Sequence, residues 1–188
     1  MIRRRWVHDD GERRKWQNPE AILSSIGVRD GAVFVDVGCG EGFFAIPAAR
    51  MVGKAGRVIG IDADEGAIEH LKREAERLEL HHLTAIVGRA EETVPLANGA
   101  DLVFFGICLH DFQDPSRVLQ NAHSMLKSTG ILIDLDWKDE PMALGPPLSI
   151  RFSPAYAEEL IRSAGFRIRI IQDAGPFHYC ISAVPELP

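Results

Sequence analysis

A glycine-rich turn between two aspartates carries most of the chemical information in this sequence. The run VFVDVGCGEG at residues 33–42 places Asp36 two residues before Gly38, the first glycine of a G-x-G-x-G spacing that continues with Gly40. Glycines let the backbone turn sharply against a ligand, and the helix predicted to follow presents unpaired N–H groups to an anion. Asp62 ends the next apolar run, VIGIDAD, in a position from which a carboxylate can bind ribose hydroxyls.

The acid and the glycine spacing distinguish two kinds of ligand. A nicotinamide dinucleotide site has the spacing G-x-G-x-x-G, and a carboxylate at Asp36 would repel the pyrophosphate of that cofactor. The Asp36 carboxylate can instead accept a hydrogen bond from an ammonium group of a ligand. The helix N-terminus suits a carboxylate group of the same ligand. We therefore expect a nucleoside that carries an amino acid, and the sequence disfavours a nicotinamide-dependent oxidoreductase. Glycines alone also mark plain strand-to-helix turns, so this inference depends on the whole arrangement from Asp36 to Asp62.

His110 is the best candidate for acid–base chemistry. It lies in the segment GICLHD, after the fourth predicted strand. Because imidazole titrates near neutral pH, His110 is predicted to be a catalytic base or an acceptor-orienting group. The structural alternative is a histidine that binds a backbone group or Asp111. Asp134 and Asp136 lie in the fifth predicted strand, and we expect at most one of them to face a given side of the sheet. Asp136 either lines the acceptor pocket or begins a solvated loop.

Short apolar runs alternate with amphipathic helical patterns, which is typical of a mostly parallel sheet with helices on both faces. Capping residues followed by proline predict helix starts at Asn18-Pro19, Asp114-Pro115 and Ser153-Pro154. Further helices are predicted at residues 43–52 and from 115 to about 127. Strands are predicted at residues 32–37, 57–61, 83–87, 101–105, 130–136, 166–171 and 177–184, with the last two forming a hairpin.

These segments and their order resemble the class I S-adenosylmethionine-dependent methyltransferases over nearly the whole chain. The matching segments are IGVRDGAVFVDVGCGEGFFAIPAA, GIDADEGAIEHLKREAE, VPLANGADLVF and LHDFQDPSRVLQNAHSMLKSTGILIDLDWK. The pattern is most similar to the small-molecule branch that includes the ubiquinone/menaquinone-type (type 11) and arsenite-type enzymes. The resemblance implies a Rossmann-like three-layer α/β/α fold. Its seven-stranded, mostly parallel sheet would have the order 3-2-1-4-5-7-6 and an antiparallel last strand.

The resemblance also implies S-adenosylmethionine as the cofactor and methyl transfer to a small molecule. It places Gly38 and Gly40 under the methionyl part and Asp62 on the ribose, and it adds Cys39, Ala63 and Gly106 to the cofactor site. Arsenite-type relatives hold arsenic with several cysteines. The three cysteines of this chain, Cys39, Cys108 and Cys180, are too scattered for that, and we expect them to be buried packing residues.

One element departs from the family pattern. After the third strand the family usually has Gly-Asp-Ala, whose acid contacts the adenine amino group, whereas this chain has Gly88-Arg89-Ala90-Glu91. Arg89 cannot accept that hydrogen bond. Glu91 is one replacement, and backbone groups at Ala90 are the other.

Composition narrows the class of partner. The chain has 188 residues and a net charge of −6, so we expect one domain over residues 1–188 and no nucleic acid partner. The sequence shows no signal peptide, bilayer-spanning run or metal-binding CxxC pair, so a cytoplasmic protein without membrane insertion or metal is expected. The oligomeric state is open, with a homodimer as one alternative.

Two segments are predicted to cover the acceptor site. Residues 137–152 form a long proline- and glycine-containing stretch without a clear element, and such loops are often lids. Residues 1–17 form an N-terminal arm whose Trp6 and Trp16 either supply apolar surface or anchor the arm. Its basic residues are expected to be solvated and partly disordered, with attraction of an anionic substrate as the alternative; they are Arg3, Arg4, Arg5, Arg13, Arg14 and Lys15. The leading functional hypothesis is a methyltransferase, and the alternative is an S-adenosylmethionine-binding sensor or partner subunit without methyl transfer of its own.

Overall fold

The computed structural model describes residues 10–186, so Arg3, Arg4, Arg5 and Trp6 lie outside the described residues. The strands are β1 (Val33–Val37), β2 (Arg57–Asp62), β3 (Leu83–Val87), β4 (Ala100–Gly106), β5 (Leu126–Trp137), β6 (Phe166–Ala174) and β7 (His178–Pro185). The helices are α1 (Asp10–Arg14), α2 (Pro19–Ser25), α3 (Ala45–Val52), α4 (Glu65–Arg77), α5 (Pro115–Met125) and α6 (Pro154–Ser163).

The seven strands form one sheet in the order β3-β2-β1-β4-β5-β7-β6. Neighbouring strands from β3 to β5 pair in parallel, and β7 is antiparallel to both β5 and β6. The predicted α/β fold and strand order are therefore confirmed. Strand order reverses between β1 and β4, and open α/β sheets bind ligands at the carboxyl ends of the strands at such a point.

Alternation along each strand divides the core between the two faces of the sheet. Phe34 and Phe104 pack on one face with the residues around α3 and α4. Val35 and Phe105, their immediate neighbours, pack on the other face with α5 and α6. Because both faces are covered, the central strands are apolar almost throughout, which is the pattern of a buried parallel sheet. A buried charge in these strands therefore requires a separate explanation.

Helix starts follow the capping chemistry that the sequence predicts. The side chains of Asn18, Asp114 and Ser153 each accept a hydrogen bond from the N–H three residues further on, at 3.0, 2.9 and 3.1 Å. Proline follows each cap at the first helical position, where no N–H partner is lost. These three predictions are confirmed.

The helix after the glycine turn begins later than predicted. α3 starts at Ala45, because Phe43 and Phe44 still belong to the turn. No side chain of the preceding residue caps the helix; instead Asp36 of β1 accepts a hydrogen bond from the Ala45 N–H. A cap supplied from a neighbouring strand leaves no pattern in the local sequence.

The junction between α5 and β5 also differs from the prediction. α5 ends at Met125 and β5 begins at once with Leu126, which is extended (φ −73°, ψ 143°) and pairs with Ala100 of β4. The predicted helix to about 127 and strand from 130 were therefore wrong at this boundary, because pairing with β4 overrides local helix propensity. β5 also includes Trp137, and the stretch predicted as a loop contains a short helical turn at Leu148–Ile150.

Candidate active site

The glycine turn is fixed to the neighbouring strand by its backbone. The N–H groups of Gly38 and Cys39 both donate to the carbonyl of Ile61 at the end of β2, at 2.8 and 3.1 Å. Gly38 and Gly40 have positive φ angles of 75° and 54°, which side chains rarely adopt. A Cβ at Gly38 would lie 2.9 Å from Cys108 Sγ, whereas a Cβ at Gly40 would meet no protein atom within 4 Å. The surface at Gly40 is therefore open to a ligand.

Asp62 joins the turn to the loop after β2. Its Oδ2 accepts a hydrogen bond from the Gly40 N–H, and its Oδ1 accepts one from the Asp64 N–H, both at 2.9 Å. The residue is 4% exposed. Each carboxylate oxygen has two acceptor positions, so the carboxylate that orders the turn can also accept bonds from hydroxyls. Ala63 follows on the exposed side of the same loop.

Asp36 is an ionisable group inside the core, only 1% exposed. Burial is the largest influence and raises its pKa to about 7; the nearby charge of Asp62 also raises the pKa, while the charge of Arg13 and the bond from Ala45 N–H lower it. Its Oδ2 has no hydrogen-bond partner among the described residues. A buried, unpaired carboxylate oxygen is costly, and a cationic ligand would relieve that cost.

The segment after β4 returns the chain to the same edge of the sheet. A Cβ at Gly106 would lie 2.7 Å from Phe104 Cε1, so aromatic packing requires glycine there. Ile107 adopts a φ of 64°, and its N–H donates to the Leu135 carbonyl at 2.7 Å. A positive φ is strained for a β-branched residue, and such strain is common at functional sites. No sequence pattern indicates this conformation.

His110 and Asp136 form a buried ion pair that the sequence did not predict. The Nδ1 of His110 donates to a carboxylate oxygen of Asp136 at 2.8 Å, and the two side chains are 3% and 1% exposed. Burial disfavours the imidazolium, but the hydrogen bond and charge of Asp136, with the charge of Asp111, outweigh it and raise the pKa of His110. The His110 Nε2 lies 3.5 Å from Asp111 Oδ1. The solvated-loop alternative for Asp136 is wrong.

The expectation that Asp134 and Asp136 face different sides of the sheet is also wrong. Residues two apart in a strand project on the same face, and both carboxyl groups are buried on the face that carries Phe105 and Tyr179. Neither oxygen of Asp134 has a hydrogen-bond partner among the described residues. Burial, together with the charge of Asp136, raises the pKa of Asp134 far above its usual range. The protonated form of Asp134 is therefore favoured more strongly than that of an ordinary aspartate.

The segment after β3 is organised by side chains from the loop after β4. Arg89 donates to Gln113 Oε1 at 3.1 Å, and Glu91 Oε1 accepts from the Gln113 N–H at 3.2 Å. The Ala90 carbonyl accepts from Asn121 Nδ2 at 2.9 Å. Arg89 therefore binds protein groups, among them the carboxylates of Glu91 and Glu92 at 3.5 and 3.3 Å. Asn121 and Gln113, which no sequence pattern indicated, position the segment.

The N-terminal segment packs beside the turn through Arg13 and Trp16, whereas Arg14 and Lys15 are exposed, as expected for solvated basic residues. The Arg13 guanidinium carbon lies 3.8 Å from the centre of the Phe43 ring. Trp16 stacks on His178 with ring centres 5.7 Å apart and lies 5.5 Å from Trp137. Trp16 is thus an anchor. Burial is the main cause that lowers the pKa of His178 to about 3, with a contribution from the charge of Arg13, so this imidazole is neutral.

One side chain organises the stretch between β5 and α6. The guanidinium of Arg151 donates to the carbonyls of Pro146, Lys138, Glu140 and Leu144 at 2.9, 3.1, 3.0 and 2.9 Å. It also lies 5.6 Å from the Trp137 ring centre. Arginine can make this arrangement because its guanidinium carries five donors in a fixed plane.

The three cysteines are free and buried, as expected for packing residues. Burial is the main cause that raises the pKa of the Cys39 and Cys108 thiols. Within residues 10–186, no group of three or more His, Cys, Asp or Glu side chains has the arrangement of a metal site. In the same range, no helix has the length and apolar character needed to cross a bilayer.

Residues 29–146 match the family model described as a methyltransferase domain. The chain is 28% identical over 123 residues to a demethylmenaquinone methyltransferase of Oceanobacillus iheyensis, which covers 65% of this chain and 51% of that protein. It is 32% identical over 114 residues to a probable cobalt-precorrin-6B C(15)-methyltransferase (decarboxylating) of Sulfurisphaera tokodaii, covering 60% of this chain and 57% of that protein. The chain thus spans about half the length of these curated relatives.

Solved structures extend the match to almost every residue. A SAM dependent methyltransferase from Aquifex aeolicus superimposes with a TM-score of 0.87 at 25% identity, over 95% of this chain and 100% of that one. The [4+2]-cyclase SpnF shares the fold with a TM-score of 0.77 at 17% identity, over 90% of this chain and 81% of that one. The family match, the strand order and the two aspartates around the glycine turn agree: the chain belongs to the methyltransferase domain family, with the class I fold and S-adenosylmethionine as its cofactor.

Proposed function

We propose that this chain transfers a methyl group from S-adenosylmethionine to a small-molecule acceptor, with His110 and Asp136 as the acid–base pair on the acceptor side. The observation that carries the proposal is the buried His110–Asp136 pair at the same sheet edge as the glycine turn. S-adenosylmethionine supplies an activated methyl group on a sulfonium. The tasks left to the protein are to align the acceptor, exclude water and accept a proton.

The residues proposed to hold the cofactor lie at the ends of β1, β2, β3 and β4. The unpartnered Asp36 oxygen suits an ammonium group, the open face of Gly40 leaves room for the methionyl chain, and Asp62 is an acceptor for ribose hydroxyls. The set comprises Asp36, Gly38, Cys39, Gly40, Asp62, Ala63, Ala90, Glu91 and Gly106.

The His110–Asp136 pair supplies a base whose proton-accepting nitrogen is defined: it is Nε2, which lies 3.5 Å from Asp111 Oδ1. A carboxylate only accepts hydrogen bonds, so the neutral imidazole carries its proton on Nδ1 and leaves Nε2 to take a proton from the acceptor. Asp136 then stabilises the imidazolium that forms, in the manner of the third residue of a catalytic triad. The raised pKa of His110 makes it a stronger base and requires a pH above that value for full activity.

Replacing His110 with alanine is expected to lower kcat about 100-fold or more while leaving affinity for S-adenosylhomocysteine unchanged. Asp136→Asn removes the charge that raises the pKa of His110, so the acidic limb of the kcat profile is expected to move to lower pH. The measurements are steady-state rates against pH and calorimetric titration with S-adenosylhomocysteine. Unchanged turnover of His110→Ala with the true acceptor would exclude a catalytic role.

The proposed function itself is tested in two steps. S-adenosylhomocysteine is expected to raise the melting temperature, whereas NAD is not. At a ligand concentration of a hundred times its Kd, the added free energy of unfolding is about 2.7 kcal/mol. A screen of small-molecule acceptors, measured as S-adenosylhomocysteine production, then separates an enzyme from a cofactor-binding sensor or partner subunit. Stabilisation by NAD alone would contradict the assignment.

The proposal includes a cover over the acceptor site, formed by residues 137–152 and the N-terminal segment within one domain spanning residues 1–188. Two observations support the cover. The Arg151 guanidinium binds four backbone carbonyls of this stretch, and the centre of the Phe152 ring lies 6.5 Å from the centre of the His110 ring. Leu148 and Ile150 expose 46% and 41% of their surface on this segment, and these two side chains are proposed to contact the acceptor.

Arg151→Lys tests the cover. A lysine ammonium has three donors and lacks the planar, five-donor guanidinium of arginine, so it cannot bind four carbonyls at once. We expect faster amide hydrogen exchange over residues 138–150 and an acceptor KM raised about tenfold, with affinity for S-adenosylhomocysteine unchanged. Arg162→Lys, which changes an exposed pair with Glu158, is the matched control. Exchange rates equal to those of the unaltered protein would show that Arg151 does not order the segment.

A cytoplasmic location completes the proposal, supported by three thiols that are free and buried. No nucleic acid partner is proposed, because the net charge is −6. A homodimer is the simplest oligomer to test by light scattering.

A further inference from the structure

Arg151 contacts both the loop of the cover and the strand that carries Asp136. On the loop side, its guanidinium donates to three backbone carbonyls within residues 140–146. On the strand side, it donates to the Lys138 carbonyl at 3.1 Å and lies 5.6 Å from the centre of the Trp137 ring. Trp137 directly follows Asp136, and its N–H donates to Asp136 Oδ1 at 2.7 Å. The guanidinium is therefore held at the end of β5 where the acid–base pair lies.

The residue after Arg151 places the same segment against His110. The Phe152 ring lies 6.5 Å from the His110 ring and 4.9 Å from the Tyr156 ring, in edge-to-face arrangements at 74° and 90°. Because Arg151 and Phe152 are consecutive, a displacement of the guanidinium also displaces the ring that packs beside the imidazole. The position of the Arg151 charge and the packing around His110 thus depend on one segment.

A glycine also holds this segment against β5. Gly145 has a φ of 87°, and a Cβ at this position would lie 2.8 Å from Cδ2 of the Trp137 ring. A side chain at Gly145 is therefore expected to push the segment away from Trp137. Leu144, the preceding residue, supplies one of the four carbonyls that bind Arg151. Close packing at Gly145 and the contacts of Arg151 are therefore linked.

The charges that act on His110 come from three segments. Burial is the largest influence on the pKa of His110 and lowers it; Asp136 of β5 and Asp111 of its own segment raise the pKa, and Arg151 lowers it. The pKa of Arg151 is lowered by burial and raised by the charge of Asp136, so the guanidinium also interacts with the pair as a whole. Arginine keeps its charge at every physiological pH. The effect of Arg151 on His110 therefore varies with the position of the guanidinium.

We propose that Arg151 couples the cover to the acid–base pair, because the guanidinium that orders residues 138–146 is also the cation that acts on His110. When the segment is ordered, the positive charge favours the unprotonated imidazole, whose Nε2 takes the proton of the acceptor. When the segment is displaced, the charge moves away and the two carboxylates favour the imidazolium. Arg151 is thus a positioning residue that makes the base available in the covered site. The inference rests on the proposed function only in taking His110 as the base.

The test follows the protonation of His110 directly, by NMR titration of the protein with isotope-labelled histidine, the His110 signal being assigned from His110→Ala. Arg151→Gln removes the charge, whereas Gly145→Ala displaces the segment and keeps the charge. In both variants the titration midpoint of His110 is expected to move to higher pH, and amide hydrogen exchange over residues 138–150 is expected to be faster. Arg162→Gln, at an exposed arginine that pairs with Glu158 at 2.7 Å, is the matched control and should change neither.

Two results would overturn the inference. An unchanged midpoint in Arg151→Gln would show that the guanidinium does not act on the imidazole. A midpoint that rises in Arg151→Gln and stays unchanged in Gly145→Ala would show that the charge acts independently of the cover. A rise in both variants supports the coupling even if the acceptor screen finds no methyl transfer, and that failure would contradict the proposed function alone.

Discussion

Asp62→Ala is expected to reduce the affinity for S-adenosylhomocysteine at least about 100-fold, because the carboxylate has two tasks. It is proposed to accept hydrogen bonds from the ribose hydroxyls, each worth about 1.5–3 kcal/mol with a charged acceptor. It also accepts a hydrogen bond from the Gly40 N–H at 2.9 Å, which fixes the backbone of the turn. Calorimetric titration and the ligand-induced change in melting temperature measure both effects.

Two variants separate these tasks. Asp62→Asn keeps one acceptor oxygen of the same shape, so it is expected to retain more stability than Asp62→Ala while losing most of the affinity. Asp64→Ala removes the cap of α4, whose Oδ1 accepts from the Ala67 N–H at 3.1 Å, and should cost about 1 kcal/mol of stability with the ligand-induced shift intact. A full shift in Asp62→Ala would remove Asp62 from the cofactor site.

Asp36→Asn is expected to stabilise the ligand-free protein and weaken cofactor binding. Burial raises the pKa of Asp36 from 3.8 to about 7, so between these values the folded state binds more protons than the unfolded chain. The free energy of unfolding therefore falls as the pH rises from 3.8 to about 7. Above pH 7 the folded protein bears the full cost of burying the ionised carboxylate. At about 1.4 kcal/mol per pH unit, the cost reaches at most about 4 kcal/mol.

The asparagine side chain in the Asp36→Asn variant keeps an oxygen that can accept the Ala45 N–H and carries no charge to bury. Urea unfolding from pH 4 to pH 8 is expected to show a stability gain for Asp36→Asn that grows with pH and vanishes near pH 4. The same variant loses the partner for the ligand's ammonium, so its affinity for S-adenosylhomocysteine should fall. Asp173→Asn, at an exposed carboxylate, is the control, and a gain independent of pH would contradict the argument.

The agreement between sequence and structure is closest where the cause is local. Asn18, Asp114 and Ser153 cap helices through the N–H three residues on, so a short window contains both partners of each bond. The apolar runs of β1 to β5 were recognisable because strands covered on both faces are nearly all apolar. The α5–β5 boundary was misplaced, because pairing between Leu126 and Ala100 depends on a strand far away along the chain.

The sequence by itself determined the fold class, the family and the placement of Asp36, the glycines and Asp62 around one turn. Those features follow from hydrophobic period, capping chemistry and backbone freedom, all of which act over a few residues. Only the tertiary structure decided the partners of the buried charges: His110 with Asp136, Asp36 with Ala45, and Arg13 over Phe43. A hydrogen bond or ion pair between distant segments forms only when tertiary packing brings the two segments together. The hydrophobic periodicity of either segment alone therefore does not indicate it.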